Sequence, residues 1–500
     1  KKKCDFYQFY HDFVMEVTTF VFGTDFPKEM LRYADTGFIL RRVRLESSSE
    51  SYDPLIITLS DAHINDLVNR LSEDICKDRF LEVVLNPCLK NEKITDLIIK
   101  RMQKNPKTLK WILRQKTLES IEREADSMWR DNWFSRLDFL NLFHEITPLF
   151  ALIVFRHDKL AIFFLEALKK EIEMSLDNSI FSAIFCNGSK DIYDFFPERK
   201  VTECLTESRS SLHPIHIASI FHNYTLLSEI VKQNVDVNMS TNDKYAWTPL
   251  TLAGVNKVED SPGQPSLTPR DETFRILLDN GANINKCTNN GISPLFIACQ
   301  NGFESSVELL LNEGAEVNRC TENGTSPLFI SCQNGHDKMV ELLLKRGAVL
   351  NSSEEKGPCP LFTACRNGHV KTVALLLNNG VDVNLCNETG ASALHKACEY
   401  GHEETVKLLL DRGADTRLCT ENGDSPLSFA CQNGHDKIVQ LLLKCSVDVN
   451  LCNKTGASAL YKACGHGHNR TVQILLENDA DISLCTKTGN SPLFIACQNG

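Results

Sequence analysis

The sequence, 500 residues long, has no basic surplus; its formal net charge is −11. Proteins that grip nucleic acid over a wide surface carry the opposite sign, so nucleic acid is not an expected partner. No apolar run reaches membrane-spanning length, and the longest candidate, Leu149 to Leu165, is broken by Arg156-His157-Asp158-Lys159. A signal peptide and an initiating Met are both missing, so the natural start is expected to lie upstream of Lys1. Gly-x-x-x-x-Gly-Lys-Ser/Thr does not occur, nor do zinc-ligand spacings, a serine elbow or a paired-His metal motif. Catalysis, a metal and a cofactor are therefore not expected of these residues.

Cysteine, by contrast, is abundant, with twenty in all. Cys299, Cys332, Cys365, Cys398, Cys431, Cys464 and Cys497 stand 33 residues apart. Cys287, Cys320, Cys386, Cys419, Cys452 and Cys485 keep the same period, with Ser353 in the one gap. Residues recurring once per unit occupy equivalent places in successive units. Packed helices lie about 8–10 Å apart, whereas a disulfide needs Cα atoms within about 7 Å. Bridging along either series is excluded on that ground. Both series are expected to be small buried apolar side chains in a reducing cytosol, which places the chain in the cytoplasm.

The period itself governs the rest. A chain this long exceeds one hydrophobic core, and an array of units resolves the difficulty. Ser/Thr-Pro-Leu anchors place Pro at 249, 294, 327, 360, 426 and 492, with Ala393 and Ala459 in the gaps. Pro214 stands 35 residues before Pro249, and Pro294 stands 45 after it, one period plus 12. Ser293 or Ser326 can cap a helix, and the following Pro loses no needed donor at the first helical position. Leu-Phe-Ile-Ala-Cys continues that helix until Asn-Gly at 301–302 or 334–335 ends it. A second helix, such as Asp337 to Lys345, runs to Gly347, and a polar turn such as Thr321-Glu322-Asn323-Gly324 joins the units. Two such helices cannot bury their apolar faces alone, but stacked copies can.

This pattern resembles the ankyrin repeat, whose motif is Thr-Pro-Leu-His, paired small residues and Gly-His. The resemblance covers 212–500, with Phe replacing the motif His in several units and Leu394-His395 keeping it. It implies a mainly α fold, an ankyrin-repeat α-solenoid of helix pairs with short turn tips. Thr147-Pro148-Leu149-Phe150 and Ser179-Ile180-Phe181 extend the register upstream, so 146–211 is expected to hold two degenerate repeats. The last unit stops at Gly500 after one helix, which is expected to fray. The insertion from Val255 to Arg270 is expected to project as a loop. Its Ser261-Pro262 and Thr268-Pro269 have the form of phosphorylation sites, though such dipeptides are commonly idle.

The resemblance also implies a protein partner on a concave face built from turn tips and first helices. Carried over residue by residue, that face holds Glu322, Asn323, Thr325, Gln333 and Asn334 in one unit. The next contributes Glu355, Lys356, Pro358, Arg366 and Asn367. Glu388, Thr389, Ala391, Glu399 and Tyr400 follow, then Glu421, Asn422, Asp424, Gln432 and Asn433. Arg366 and Tyr400 are of the types that dominate interface energetics. The acidic bias of the strip favours a basic or mixed-charge protein surface.

Residues 1–75 read differently. Phe6 to Phe22 and Pro27 to Tyr33 have helical patterns, and Phe38 to Leu45 with Leu55 to Leu59 read as two strands around a polar loop. Ser60-Asp61 caps a further helix to about Ile75. Helices followed by a hairpin suggest a winged helix, and 76–145 reads as a helical linker. Lys90 to Lys116 is locally basic, the common signature of a solvated helix face. Tyr10-His11-Asp12 is similar to the Met-His-Asp motif in the winged-helix part of STAND-type signalling NTPases, the class that includes nucleotide-binding immune receptors. Tyr10 departs from the motif. That resemblance implies that His11 touches the β-phosphate of a bound nucleotide, and that the array is the ligand-sensing part of such a receptor. Nucleotide would then be bound only with an upstream NTPase module. A free-standing scaffold is the alternative.

Overall fold

The coordinates are a computed structural model describing residues 43–45, 57–74, 83–104, 147–175, 179–207, 212–256, 268–350, 359–445 and 447–499, with Met30, Leu31, Ala34 and Phe139. They divide into two units, 1–243 with 248–282, and 244–247 with 283–500. Among the described residues no helix is long and apolar enough to cross a membrane.

In the first unit, β1 (Val43–Leu45) pairs with β2 (Ile57–Leu59) in parallel, Val43 opposite Ile57 and Leu45 opposite Leu59. This corrects the expected hairpin, since two strands joined by a simple reversal must run antiparallel. The wing of a winged helix is therefore not formed by these strands. A 3-10 turn, Asp61–His63, leads into α1 (Ile64–Asp74), which buries Ile64, Leu67, Val68 and Leu71 at helical spacing. Asn86 caps a 3-10 turn at Pro87–Lys90, and Asn91 caps α2 (Glu92–Gln103). The basic stretch expected from Lys90 onward includes Arg101, which faces Glu73, while Asp96 of α2 meets Lys159. Phe6 to Phe22, His11 among them, lies outside the described residues.

Paired helices follow: α3 (Pro148–Val154) and α4 (Asp158–Ser175), then α5 (Ser179–Asn187) with α6 (Lys190–Tyr193) and α7 (Glu198–Glu207). Next come α8 (Pro214–Ile220) and α9 (Tyr224–Lys232), then α10 (Pro249–Leu252) and α11 (Pro269–Asp279). First helices pack on first helices, α3 on α5, α5 on α8 and α8 on α10, while α9 packs on α11. Thr268, of the Thr268-Pro269 dipeptide, caps α11: its Oγ1 accepts from Asp271 N and donates to the Asp271 carboxylate at 2.8 Å.

The second unit repeats one helix pair. Its first helices are α12 (Pro294–Asn301), α14 (Pro327–Gln333), α16 (Pro360–Asn367), α18 (Ala393–Tyr400), α20 (Pro426–Gln432), α22 (Ala459–Gly465) and α24 (Pro492–Asn499). The second helices are α13 (Glu304–Asn312), α15 (Asp337–Lys345), α17 (Val370–Asn378), α19 (Glu403–Asp411), α21 (Asp436–Leu443) and α23 (Asn469–Glu477). Each first helix packs on the next, and each second helix on the next. The second helices bury Val307 and Leu310, Val340 and Leu343, Val373 and Leu376, Val406 and Leu409, Val439 and Leu442. Each such side chain contributes about 1.5–3 kcal/mol when removed from water. A single pair of helices this short could not bury both flanks.

The two cysteine series part company here. Cys299, Cys332, Cys365, Cys398 and Cys431 are buried, as expected, while Cys464 is half-buried and Cys497 exposed. In the second series Cys320, Cys386, Cys419 and Cys485 are exposed, which corrects the expectation that both are core residues. Their thiols sit beside the turn tips, where a chain joining two helices cannot be covered on every side.

Candidate partner-binding face

Five of the seven first helices of the second unit open on a serine whose Oγ accepts a backbone N–H of the first turn. Ser293 Oγ accepts from Phe296 N at 3.1 Å, Ser326 Oγ from Phe329 N at 3.1 Å and Ser458 Oγ from Tyr461 N at 3.2 Å. From α12 to α22 each first helix closes on a glycine in the left-handed region, as at Gly302 (φ 73°), Gly368 (φ 74°) and Gly401 (φ 80°). The next unit's histidine then seals the end. His336, His369, His402, His435 and His468 donate from Nε2 to the carbonyls of Gln300, Gln333, Arg366, Glu399 and Gln432, at 2.7–3.2 Å. A Cβ on Gly368 would lie 2.4 Å from the His402 ring, so the glycine is needed for space as well as for φ.

Turn tips are tied by backbone bonds from one unit to the next. Glu322 N donates to Asn290 O at 3.1 Å, and Glu421 N to Thr389 O at 2.8 Å. Lys454 N donates to Asn422 O, and Lys487 N to Thr455 O, both at 2.8 Å. The side chains of the tips are thereby held in one register.

The expected face residues separate into three groups. Glu322, Asn323, Gln333, Asn334, Arg366, Asn367, Glu388, Thr389, Tyr400, Glu421, Asn422 and Asn433 are exposed, while Thr325, Glu399, Asp424 and Gln432 are half-buried. Ala391 is buried at 5% exposure and is not a contact residue, a correction. Glu355, Lys356 and Pro358 lie outside the described residues. Exposure alone is not availability: Asn334 Nδ2 donates to Gln300 O and Asn367 Nδ2 to Gln333 O, both at 2.8 Å, so these amides are committed to the preceding unit.

Asp424 is likewise committed. Its Oδ1 meets Lys462 Nζ at 2.8 Å and Asn453 Nδ2 at 2.8 Å, and the Lys462 and Asp424 side chains are only 12% and 14% exposed. Lys462 also lies 5.3 Å above the Phe429 ring, whose edge meets His395. His395 Nε2 donates to Asp424 O at 3.1 Å, and burial holds the His395 imidazole well below its ordinary value, at about 4. Lys396 pairs with Glu399 at 2.8 Å. Lys396, Phe429 and Lys462 were missed by carrying over only the positions before the anchor and after the small pair. The signal was the i, i+3 spacing of Lys396 and Glu399 on one helical face.

Arg366 and Tyr400, singled out separately, are brought together. The guanidinium of Arg366 lies 5.0 Å from the centroid of the Tyr400 ring. Tyr400 is 42% exposed, large for an aromatic side chain on a packed array.

Residues 268–354, 349–420 and 427–500 match the family model described as ankyrin repeats, in three copies. The chain carries ankyrin repeats. Among solved structures, the human ASB11 ankyrin repeat domain is 30% identical, the match covering 42% of this chain and 93% of that one, with a TM-score of 0.40. No curated protein matches the sequence. Ankyrin repeats bind protein partners, and the polar strip of these repeats lies where their turn tips and first helices meet solvent.

Proposed function

We propose that this chain is a protein-binding scaffold whose partner lies along the first helices and turn tips of the ankyrin repeats, on their concave face. The observation that carries this reading is the exposed Arg366–Tyr400 pair, two residues of the most energetic interface types ordered against each other across adjacent repeats. Residues 146–211 are read as two further, degenerate repeats, on the support of the Thr147-capped α3 and its packing on α5. The chain acts in the cytoplasm, catalyses no reaction itself and does not engage nucleic acid.

The test is recovery of protein partners by the intact chain and by two double variants. Arg366→Ala with Tyr400→Ala should lose them; Lys371→Ala with Glu404→Ala, on the second helices, should not. The reverse pattern would end the proposal.

A wider setting, the sensing part of a STAND-type signalling NTPase, is supported by Tyr10-His11-Asp12 and by the order of regions. His11 would meet a nucleotide phosphate only beside a phosphate-binding loop, which residues 1–500 do not contain. The free-standing scaffold is favoured by the parallel pairing of β1 and β2, which removes the expected wing. A phosphate-binding loop encoded upstream of Lys1, with ADP binding by that longer protein abolished by His11→Ala, would decide for the receptor.

A further inference from the structure

The first helices of residues 294–499 carry three cations: Arg366, Lys396 and Lys462. Lys396 is held by Glu399 and Lys462 by Asp424, each at 2.8 Å. Glu399 is also the one anion on these helices, so pairing removes every charge of the row except Arg366. Among the described residues no carboxylate lies within ion-pair distance of its guanidinium. Resting on the scaffold reading above, we propose that Arg366, ordered over Tyr400, receives a carboxylate side chain, Asp or Glu, of an extended segment in the protein partner.

Three features favour this occupant. The guanidinium is exposed but not loose: the ring beneath it attracts the cation, and His402 pins the backbone of the same residue through Arg366 O at 2.7 Å. An Arg fork ordered before binding loses less freedom when it takes a planar carboxylate by two parallel hydrogen bonds. Glu399, at the equivalent position of the next repeat, is already neutralised by Lys396. Phosphate groups, in contrast, are usually gathered by clusters of Arg, and this row offers one. The exposed acids of the strip, Glu388 and Glu421 among them, would repel a dianion more strongly than a single carboxylate. The overall acidity of the strip therefore misleads at this point, where complementarity calls for an acid.

Spacing adds a register. Helices about 8–10 Å apart are matched by about three residues of extended chain at roughly 3.3 Å each. The acid would thus sit about three residues from the partner positions facing Gln333 and Glu399.

The experiment uses the full chain and random displayed peptides of about twelve residues, long enough for roughly four repeats. Selected peptides are expected to carry Asp or Glu at one fixed position, and replacing it with Asn or Gln should weaken binding by at least about tenfold. Arg366→Gln should cost the same factor, and Tyr400→Leu a smaller one. Tyr400→Phe, which keeps the ring, should leave affinity within about twofold. Selection against Arg366→Glu should move the fixed position to Lys or Arg, a gain that misfolding could not produce. The inference is overturned if peptides that Gln333→Arg or Gln432→Arg displaces bind Arg366→Gln as well as the native chain; the scaffold reading then survives. It is equally overturned if phosphoserine at the fixed position binds far better than the acid does. If no selected peptide depends on the strip at all, both readings fall.

Discussion

In residues 147–223 the residue that ends a first helix is Arg156 (φ 61°), Gly188 (φ 82°) or His222 (φ 54°). In residues 294–467 it is a glycine every time, from Gly302 to Gly467. Both regions need the left-handed turn, which costs a non-glycine residue about 1–2 kcal/mol. The earlier region offsets that cost with side-chain bonds. Arg156 Nε donates to Asn187 O at 3.0 Å, and His222 Nε2 donates to Asn256 O at 3.2 Å. The seal differs in the same way. His157 Nε2 donates to Val84 O at 2.7 Å, but Asn223 Nδ2 takes the histidine's place against Phe185 O and Cys186 O. One geometry is therefore reached by two chemistries, and only the glycine–histidine version reads as a repeat in the sequence.

Acid should separate the two regions most. Burial, opposed by a backbone hydrogen bond, holds His216 at about 4 and His222 at about 3, and also lowers His157 and His213, against an ordinary 6.5. The later region has His395, held at about 4. An unfolded chain binds the extra protons below pH 6.5 while the folded one does not, so stability is full above 6.5 and falls as pH drops toward 4. Each buried histidine withdraws up to about 1.4 kcal/mol per pH unit across its window. Hydrogen exchange followed from pH 7 to 4 should show 147–256 losing protection first. Simultaneous loss would contradict the contrast.

Next in size is the helix end itself. Gly368→Ala meets both the left-handed penalty and the His402 ring, and should cost about 2–3 kcal/mol by urea unfolding. Arg156→Gly trades relief of strain against the hydrogen bonds to Asn187 O and Asn223 Oδ1 and should change stability by less than about 1 kcal/mol. Equal losses would show that the two chemistries are not alternatives.

Smaller effects are gains. Thr372 Oγ1 donates to Asp337 at 2.6 Å and Thr471 Oγ1 to Asp436 at 2.5 Å, but the buried Thr405 Oγ1 has no partner because Val370 stands where the acid would be. Val370→Asp should add about 1 kcal/mol, since it satisfies that hydroxyl and puts an acid at the start of α17. Asp479 (φ 62°) occupies the place of Gly281, Gly314, Gly347, Gly380 and Gly413, so Asp479→Gly should add up to about 1 kcal/mol. Thermal midpoints would measure both, and a fall in either would refute the positional equivalence.

Much of this was legible in one dimension. The helix starts at Pro294, Pro327, Pro360 and Pro426 fall where the anchors predict, because capping and the proline ring act within three residues. The face was legible as positions but not as chemistry. Asn334, Asn367 and Asp424 read as free polar groups, and each is engaged by a neighbouring repeat. Residues 43–45 and 57–59 were legible as strands but not in their pairing, since β-propensity does not encode direction.

By itself, then, the sequence determined the period, the ends of the helices and the segments that must stack, all local consequences of capping, glycine and apolar spacing. The tertiary structure decided what cysteines of equal period became, one series mostly buried between helices and the other exposed or half-buried beside the turns. It also decided that Arg366 meets Tyr400 while Lys396 and Lys462 are neutralised. Those outcomes depend on how one repeat leans on the next, and side chains about 30 residues apart acquire a distance only when the helices between them have packed.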